Sequence, residues 1–144
     1  MSVAPERTYN RDLEFSLRHR HYGNDCKAVD LDHLPFRFNE YYRGEPVGLI
    51  EYKHERACFI DYLRFKNFHA LIRLGDRAGL PVFCAYYASD FSKYIVDPLN
   101  SHASKFFLDR TELTEHKYVK FLHELRGLKV HDNYIDWLLS EREI

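Results

Sequence analysis

The sequence has few of the residues that mark special structural classes. Its three cysteines, Cys26, Cys58 and Cys84, are scattered and form no Cys-x-x-Cys pair, so neither a zinc ribbon nor a disulfide framework is indicated. Five prolines and six glycines, with no low-complexity tract or internal repeat, argue against a disordered chain. Scattered free thiols are typical of a reducing compartment, and we expect a cytoplasmic protein.

Long apolar runs and common catalytic signatures are also missing. No apolar stretch reaches the roughly 18 residues that a membrane span requires, and residues 1–14 lack the apolar core of a signal peptide. We therefore expect no membrane association. A metabolic α/β enzyme has no support, because the sequence contains no glycine-rich phosphate loop and no Ser–His or Cys–His constellation.

The chain has no excess of positive charge. It contains 21 Lys and Arg against 22 Asp and Glu, which gives a net charge of −1. Proteins that bind duplexes non-specifically are usually basic, so extensive contact with a phosphate backbone is disfavoured. Positive side chains are nevertheless concentrated between residues 7 and 27, where they form a local basic patch.

Hydrophobic periodicity predicts a mixed α/β fold. A hydrophobic content of 45% over 144 residues is enough for one domain with a packed core. We predict a single domain over residues 1–144, with a core at about 10–100 and a C-terminal helical part at about 101–144. The predicted element order is α-β-β-α-β-β-α-α, with strands at 26–38, 46–53, 81–87 and 92–99, and helices at 10–20, around 68–78, at 113–126 and at 133–142.

The second predicted strand and its connection to the third define the expected sheet. Residues 46–53 are apolar on both faces until Glu51, which predicts a central, buried strand. The strand–helix–strand unit between residues 46 and 87 predicts a right-handed crossover and parallel pairing. The expected architecture is a mixed central β-sheet flanked by helices.

Two charged motifs lie on the first two predicted strands. They are Asp30 with Asp32, and Glu51 with Lys53. Because strand side chains alternate between faces, the two members of each pair point the same way. If the strands pair as a hairpin, three carboxylates and one ammonium converge, and closely packed carboxylates repel unless a cation lies among them.

This set of side chains predicts a specific chemistry. Carboxylate oxygens suit Mg²⁺ or Mn²⁺, and an adjacent lysine suits a developing negative charge. We therefore predict a metal-dependent site that cleaves a phosphodiester. An oxygen of Asp32 and one of Glu51 should lie close enough to share one cation, and Lys53 should point into the same cleft.

The motif-bearing segments CKAVDLD and PVGLIEYKH resemble the core of the PD-(D/E)XK nuclease superfamily. That superfamily includes restriction endonucleases and archaeal Holliday junction resolvases, and the likeness is greatest to small phage and bacterial members. The superfamily's Asp matches Asp32 or Asp30, and its Glu-x-Lys matches Glu51 to Lys53. The leading proline of the motif is absent, so either Asp is a candidate. Asp32 ranks first, because a His and a hydrophobic residue follow it.

The resemblance implies a restriction-endonuclease-like α-β-β-α-β core and a Mg²⁺- or Mn²⁺-dependent nuclease that acts on nucleic acid, with DNA as the expected substrate. Asp32 and Glu51 would bind the metal, with the carbonyl of Tyr52 and the carboxylate of Asp30 as further ligands. Lys53 would position or activate the attacking water. The cleavage product would carry a 5′-phosphate.

Further residues are candidates through the same resemblance. Glu14, on the first predicted helix, would touch the metal through water or would be a plain surface residue. Asn67, on the helix after Glu-x-Lys, would face the site or would only cap its helix. The candidate nucleic-acid contacts are Arg18, Arg20, His21, Lys27 and Asn67.

Two questions stay open at this point. A homodimer would place two sites against two strands, and is therefore an expected assembly. The alternative to an enzyme is a catalytically silent nuclease-fold module that binds a nucleic-acid or protein partner. The near-neutral net charge is compatible with that alternative.

Overall fold

The computed structural model describes residues 18, 21–23, 25, 31–60 and 66–140, with residues 66 and 67 described in their backbone alone. The chain divides into two compact units, residues 1–30 and 31–144. In the second unit the strands are β1 (Phe36–Phe38), β2 (Gly44–Pro46), β3 (Leu49–His54), β4 (Val82–Tyr87), β5 (Lys93–Pro98) and β6 (Thr111–Thr114). Its helices are α1 (Lys66–Ala78), α2 (Glu115–Leu125) and α3 (Asp132–Ser140), with short 3₁₀ turns at Glu55–Ala57 and Ala103–Lys105.

The strands form two sheets. β1 and β2 make an antiparallel hairpin, and the other four strands make a sheet in the order β3-β4-β5-β6. β3 and β4 are parallel, with Glu51 opposite Cys84, whereas β5 is antiparallel to both β4 and β6. The predicted mixed sheet with flanking helices is confirmed, as is the parallel pairing across α1. The more specific restriction-endonuclease-like core stays a prediction.

The four-stranded sheet is covered by a different helix on each face. On one face, the α2 side chains Tyr118, Phe121 and Leu125 pack against side chains of β3, β4 and β5, namely Ile50, Phe83, Ala85 and Val96. On the other face, Phe68 of α1 and Cys58 pack against Cys84 and Tyr86. Apolar burial on both faces accounts for the near-continuous apolar runs of β3 and β4.

Helix α1 lies close to β4 because its single glycine, Gly75, permits it. A Cβ atom at Gly75 would lie 2.1 Å from Cγ2 of Val82, so a larger residue would push the helix off the sheet. The helix ends at Ala78. Gly79 follows with a φ of +71°, which suits glycine, and the Leu80 N–H donates to the carbonyl of Gly75 at 2.8 Å. The predicted stop of this helix is thus confirmed.

The first two predicted strands are shorter than expected. In the predicted 26–38 strand, residues 26–30 lie outside the described residues, and only Phe36–Phe38 forms a strand among the rest. The predicted 46–53 strand is interrupted between β2 and β3, because the backbone changes its partner there. The Val47 N–H donates to the carbonyl of Pro35, whereas the Leu49 N–H donates to the carbonyl of Pro81.

The prediction that residues 46–53 form a central strand is wrong for the described sheet. β3 is an edge strand in the order observed. Its outer edge is partly covered by residues 32–33, since the Ile50 N–H donates to the His33 carbonyl at 3.0 Å. The apolar pattern indicates that both faces of β3 are covered. It does not indicate whether β3 lies at the centre or at the edge of the sheet.

The C-terminal part contributes a strand that the sequence prediction missed. Thr111–Thr114 pairs with β5, and the predicted 113–126 helix starts only at Glu115. Oγ1 of Thr114 accepts a hydrogen bond from the Lys117 N–H, so this residue ends the strand and caps the helix. Among the described residues, no helix is both long enough and apolar enough to cross a membrane.

Candidate functional site

Glu51 and Lys53 lie on one face of the edge strand β3. They are two residues apart, so their side chains share a face. Nζ of Lys53 lies 3.7 Å from Oε1 of Glu51, and the side chains are 31% and 14% exposed, respectively. The pair therefore sits at the border between the packed interior and solvent.

Asp32 reaches the same place by a different route from the one predicted. It lies in a bend and not in a strand, so strand alternation does not position it. Instead, the backbone N–H of Tyr52 donates to Oδ2 of Asp32 at 3.2 Å. The carboxylate thereby satisfies a main-chain donor on the open edge of β3, and this contact fixes it beside Glu51.

The carboxyl groups of Asp32 and Glu51 are in contact. The pKa of Glu51 is raised to about 7, first by burial and then by the negative charge of Asp32 and a hydrogen bond between the two carboxyl groups. The ammonium of Lys53 opposes this shift without cancelling it. The positive charge of Lys53 therefore does not fully compensate the negative charge of the two acids. As a result, Glu51 is partly protonated near neutral pH.

The donor set fits a small, hard cation. Mg²⁺ is commonly bound by one or two carboxylates, with water and substrate phosphate completing its shell. Asp32 and Glu51 supply two carboxylates, and they line a cavity of about 10 Å³, close to the volume needed for one water molecule. No group of three His, Cys, Asp or Glu that could hold a metal is found within the described ranges.

Tyr52 contributes to this site through its main chain. Its side chain lies on the opposite face of β3, where its hydroxyl is 2.5 Å from the hydroxyl of Tyr118. Burial raises the pKa of Tyr52 to about 12, so the phenol stays protonated. Its carbonyl is the group that the resemblance to PD-(D/E)XK nucleases implies as a further ligand.

The remaining predicted residues fall into two groups. Asp30, Glu14, Arg20 and Lys27 lie outside the described residues, and their roles stay predictions. Arg18 and His21 are exposed in the first unit, where the His21 N–H donates to the Arg18 carbonyl at 3.0 Å. Asn67 lies in the first turn of α1.

Sequence reasoning missed a second polar group on the same sheet face. Arg110 binds Asp97 through two hydrogen bonds of 2.7 and 2.6 Å and donates to the Cys58 carbonyl at 2.7 Å. Its guanidinium also lies over the ring of Tyr86, 5.1 Å from the centroid. The available signal was Asp97 itself, an acid inside the apolar strand KYIVDP.

A larger cavity adjoins this ion pair. It has a volume of about 400 Å³, and Cys84 and Tyr86 of β4 and Phe68 of α1 are among its lining residues. Burial raises the pKa of the Cys84 thiol to about 12, so this cysteine is a neutral wall residue and not a nucleophile.

No family model, curated protein or solved structure matches this chain.

Proposed function

We propose that this protein is a metal-dependent nuclease that hydrolyses phosphodiester bonds in nucleic acid, with DNA as the first substrate to test. One observation carries the proposal: Asp32, held by the Tyr52 N–H at 3.2 Å, and Glu51 line one small cavity, with the Lys53 ammonium 3.7 Å from Glu51 on the same strand face. A carboxyl group with a strongly raised pKa, beside a second carboxyl group and a lysine, is more typical of a functional site than of a structural one.

The geometry supports a division of roles. Mg²⁺ or Mn²⁺ would be held by Asp32, Glu51 and the carbonyl of Tyr52, and when bound it would supply positive charge to the scissile phosphate. Lys53 would orient the attacking water and stabilise negative charge that grows on the phosphate oxygens. Glu51 must lose its proton to act as a ligand, so metal binding should strengthen as the pH rises toward and beyond 7.

Other predicted residues extend this proposal. Asp30 and Glu14 would add carboxylates around the metal. The basic residues of the first unit, together with Asn67 in α1, would contact the nucleic acid outside the reacting phosphate: Arg18, Arg20, His21 and Lys27. A homodimer would present two such sites to two strands.

The test is cleavage by the purified protein. Supercoiled plasmid, single-stranded DNA, branched DNA and RNA are incubated with Mg²⁺, Mn²⁺ or EDTA, and products are separated by electrophoresis. We expect cleavage of at least one substrate that needs the metal and is lost in Asp32→Asn. The matched control is Glu112→Gln, which removes a carboxylate from a comparable pair, 3.8 Å from Lys93.

Two outcomes contradict the proposal. Equal cleavage by Asp32→Asn and by the native protein would assign the activity to another site or to a contaminant. A native protein that cleaves none of these substrates with either metal would favour the silent binding module.

A further inference from the structure

The cavity of about 400 Å³ beside the proposed catalytic site has features that select for one class of ligand. Its lining includes three aromatic side chains, Phe59, Phe68 and Tyr86, and three charged ones, Asp97, Asp109 and Arg110. The volume falls within the range of small-molecule sites, and the mixture of apolar walls with a few polar groups is usual for them.

The cavity and the proposed phosphodiester site share a wall. Phe68 lines the cavity, and Nζ of Lys53 lies 6.0 Å from the centroid of its ring. Cys84, another lining residue, is the register partner of Glu51 on the neighbouring strand. Because adjacent strands are about 4.8 Å apart, the cavity begins about one strand spacing from the proposed metal ligand.

The charges that line the cavity disfavour a phosphate. Two acids and one arginine face it, which gives a sum of −1, and Arg110 is already engaged by both oxygens of Asp97. A simple acyl chain is also disfavoured, because it would desolvate these charged groups without forming hydrogen bonds to them. A neutral, flat ring with polar edges suits both the aromatic walls and the acids.

One aromatic residue at the rim is almost fully exposed. The side chain of Phe59 is 92% exposed, although it borders the cavity. Stacking against a ring in the cavity would remove this apolar surface from water, and aromatic side chains are the usual platforms for unpaired nucleobases. Asp109, also exposed, can accept a hydrogen bond from a ring N–H or an exocyclic amine.

We propose that this cavity is a nucleobase subsite, which receives one unstacked base of the nucleic acid while a phosphate close to that base lies at Asp32, Glu51 and Lys53. The proposal rests on the proposed nuclease function and specifies its substrate: single-stranded nucleic acid, or a duplex from which one nucleotide is turned outward. Phe59 stacks on the base, and Asp109 contacts its polar edge.

The test uses free nucleosides, which carry a base and no phosphate. Adenosine, guanosine, cytidine and thymidine are each titrated into the native protein in EDTA, and amide NMR shifts are followed. We expect millimolar binding of at least one nucleoside, with shifts at Cys84, Tyr86 and Asp97. Phe59→Ala should weaken this binding at least fivefold, since stacking on one aromatic ring contributes about that much or more.

Matched variants distinguish a base subsite from non-specific binding of nucleosides to exposed aromatic side chains. Phe38→Ala removes another exposed phenylalanine, 66% exposed in β1 and outside the cavity, and should leave nucleoside binding unchanged. Lys93→Ala, which removes a lysine of the same sheet that does not line the cavity, should also leave it unchanged. Saturation by ribose alone, equal weakening by Phe38→Ala, or no binding of any nucleoside at millimolar concentration would overturn the proposal.

The two proposals fail in different ways. Nucleoside binding that depends on Phe59, in a protein that cleaves no nucleic acid, would keep the subsite and reject the nuclease. The opposite result comes from oligonucleotides that lack one base, with the abasic position moved in turn through the sites near the cut. If all of them are cleaved as fast as the intact oligonucleotide in a metal-dependent reaction, the nuclease is kept and the subsite is rejected.

Discussion

Two charged groups on the same face of the four-stranded sheet differ sharply in how well their charges are matched. Asp97 and Arg110 form two hydrogen bonds of 2.6–2.7 Å in a fork-to-carboxylate geometry. Glu51 and Lys53 approach only to 3.7 Å, and the carboxyl group of Asp32 lies against Glu51. The two groups are neighbours, since Glu51 and Asp97 both lie opposite Cys84 in the strand register.

The difference appears in how the pKa shifts affect charge: both are upward, but one favours the charged form of its group and the other disfavours it. The hydrogen bonds from Arg110 to Asp97 raise the pKa of the arginine, so the guanidinium is more firmly ionised than it would be alone. Burial and Asp32 raise the pKa of Glu51 to about 7, so this acid is destabilised in its charged form. The Asp97–Arg110 pair, in which the charges are matched, stabilises the fold. The charge of Glu51 is not matched, so the folded state is stabilised at this site only when a cation or a proton binds.

The largest expected effect is on catalysis. Lys53→Ala should reduce the cleavage rate by about 10³-fold, because charge stabilisation by a positioned group acts mainly in the transition state. The matched control is Lys93→Ala, which removes a lysine from the same sheet face, 3.7 Å from Glu55. Single-turnover rates on the best substrate measure both variants. Equal rates in Lys53→Ala and Lys93→Ala would contradict the assigned role of Lys53.

The second prediction concerns folding stability, for which substitution of Arg110 should have a larger effect than substitution of Lys53. Arg110→Ala should lower the free energy of unfolding by about 2 kcal/mol, because it leaves Asp97, whose side chain is only 20% exposed, without its bidentate partner. Lys53→Ala should change it by no more than about 0.5 kcal/mol, as expected for a long contact near the surface. Urea denaturation of both variants measures the difference.

Arg110→Lys provides the control for geometry. Lysine keeps the charge but cannot reproduce the planar fork, so about half of the lost stability should return. Full recovery in Arg110→Lys would show that charge alone matters. If Lys53→Ala lowers the free energy of unfolding as much as Arg110→Ala does, the Glu51–Lys53 and Asp97–Arg110 pairs do not differ in their contribution to stability.

The sequence allowed some of these features to be predicted, and physical reasons limited the rest. Strands β4 and β5 and the stop of α1 followed from apolar runs and from Gly79, which are local signals. The placement of Glu51 and Lys53 on one face followed from strand alternation. Asp32 reaches Glu51 through a bend and a hydrogen bond to the Tyr52 N–H, and no periodic pattern encodes such a contact.

Non-local pairing limited the prediction most. The contact of Arg110 with Asp97 joins a strand to a loop 13 residues away, and depends on how β5 and β6 are connected. The strand Thr111–Thr114 is only four residues long and runs directly into α2, so the predicted 113–126 helix includes the last two residues of the strand. The position of β3 at the sheet edge depends on the sheet order, which apolar burial of its faces does not determine.

The third prediction tests whether a cation relieves the mismatch at Glu51. Millimolar Mg²⁺ or Mn²⁺ should stabilise the native protein by about 1.5 kcal/mol at a concentration of about ten times the Kd, because the ion binds the folded state alone. Glu51→Gln should abolish this gain, and Glu112→Gln should retain it. Thermal denaturation with and without metal measures the shift in Tm. No shift in the native protein would count against a metal site.

The last prediction concerns the pH dependence of stability without metal. The pKa of Glu51 is about 7 in the folded protein, against an ordinary value of 4.5, so the folded state binds more protons between these two values. The free energy of unfolding should therefore fall as the pH rises from about 4.5 to about 7. Glu51→Gln removes this loss. Because a change of one in a pKa corresponds to about 1.4 kcal/mol, the variant should gain about 3 kcal/mol of stability over the native protein between pH 4.5 and pH 8 in EDTA. Urea denaturation at the two pH values measures the change, with Glu112→Gln as the control that should follow the native profile. A native stability advantage over Glu51→Gln that grows between pH 5 and pH 8 would have the opposite sign and would mean that Lys53 matches Glu51 as fully as Arg110 matches Asp97.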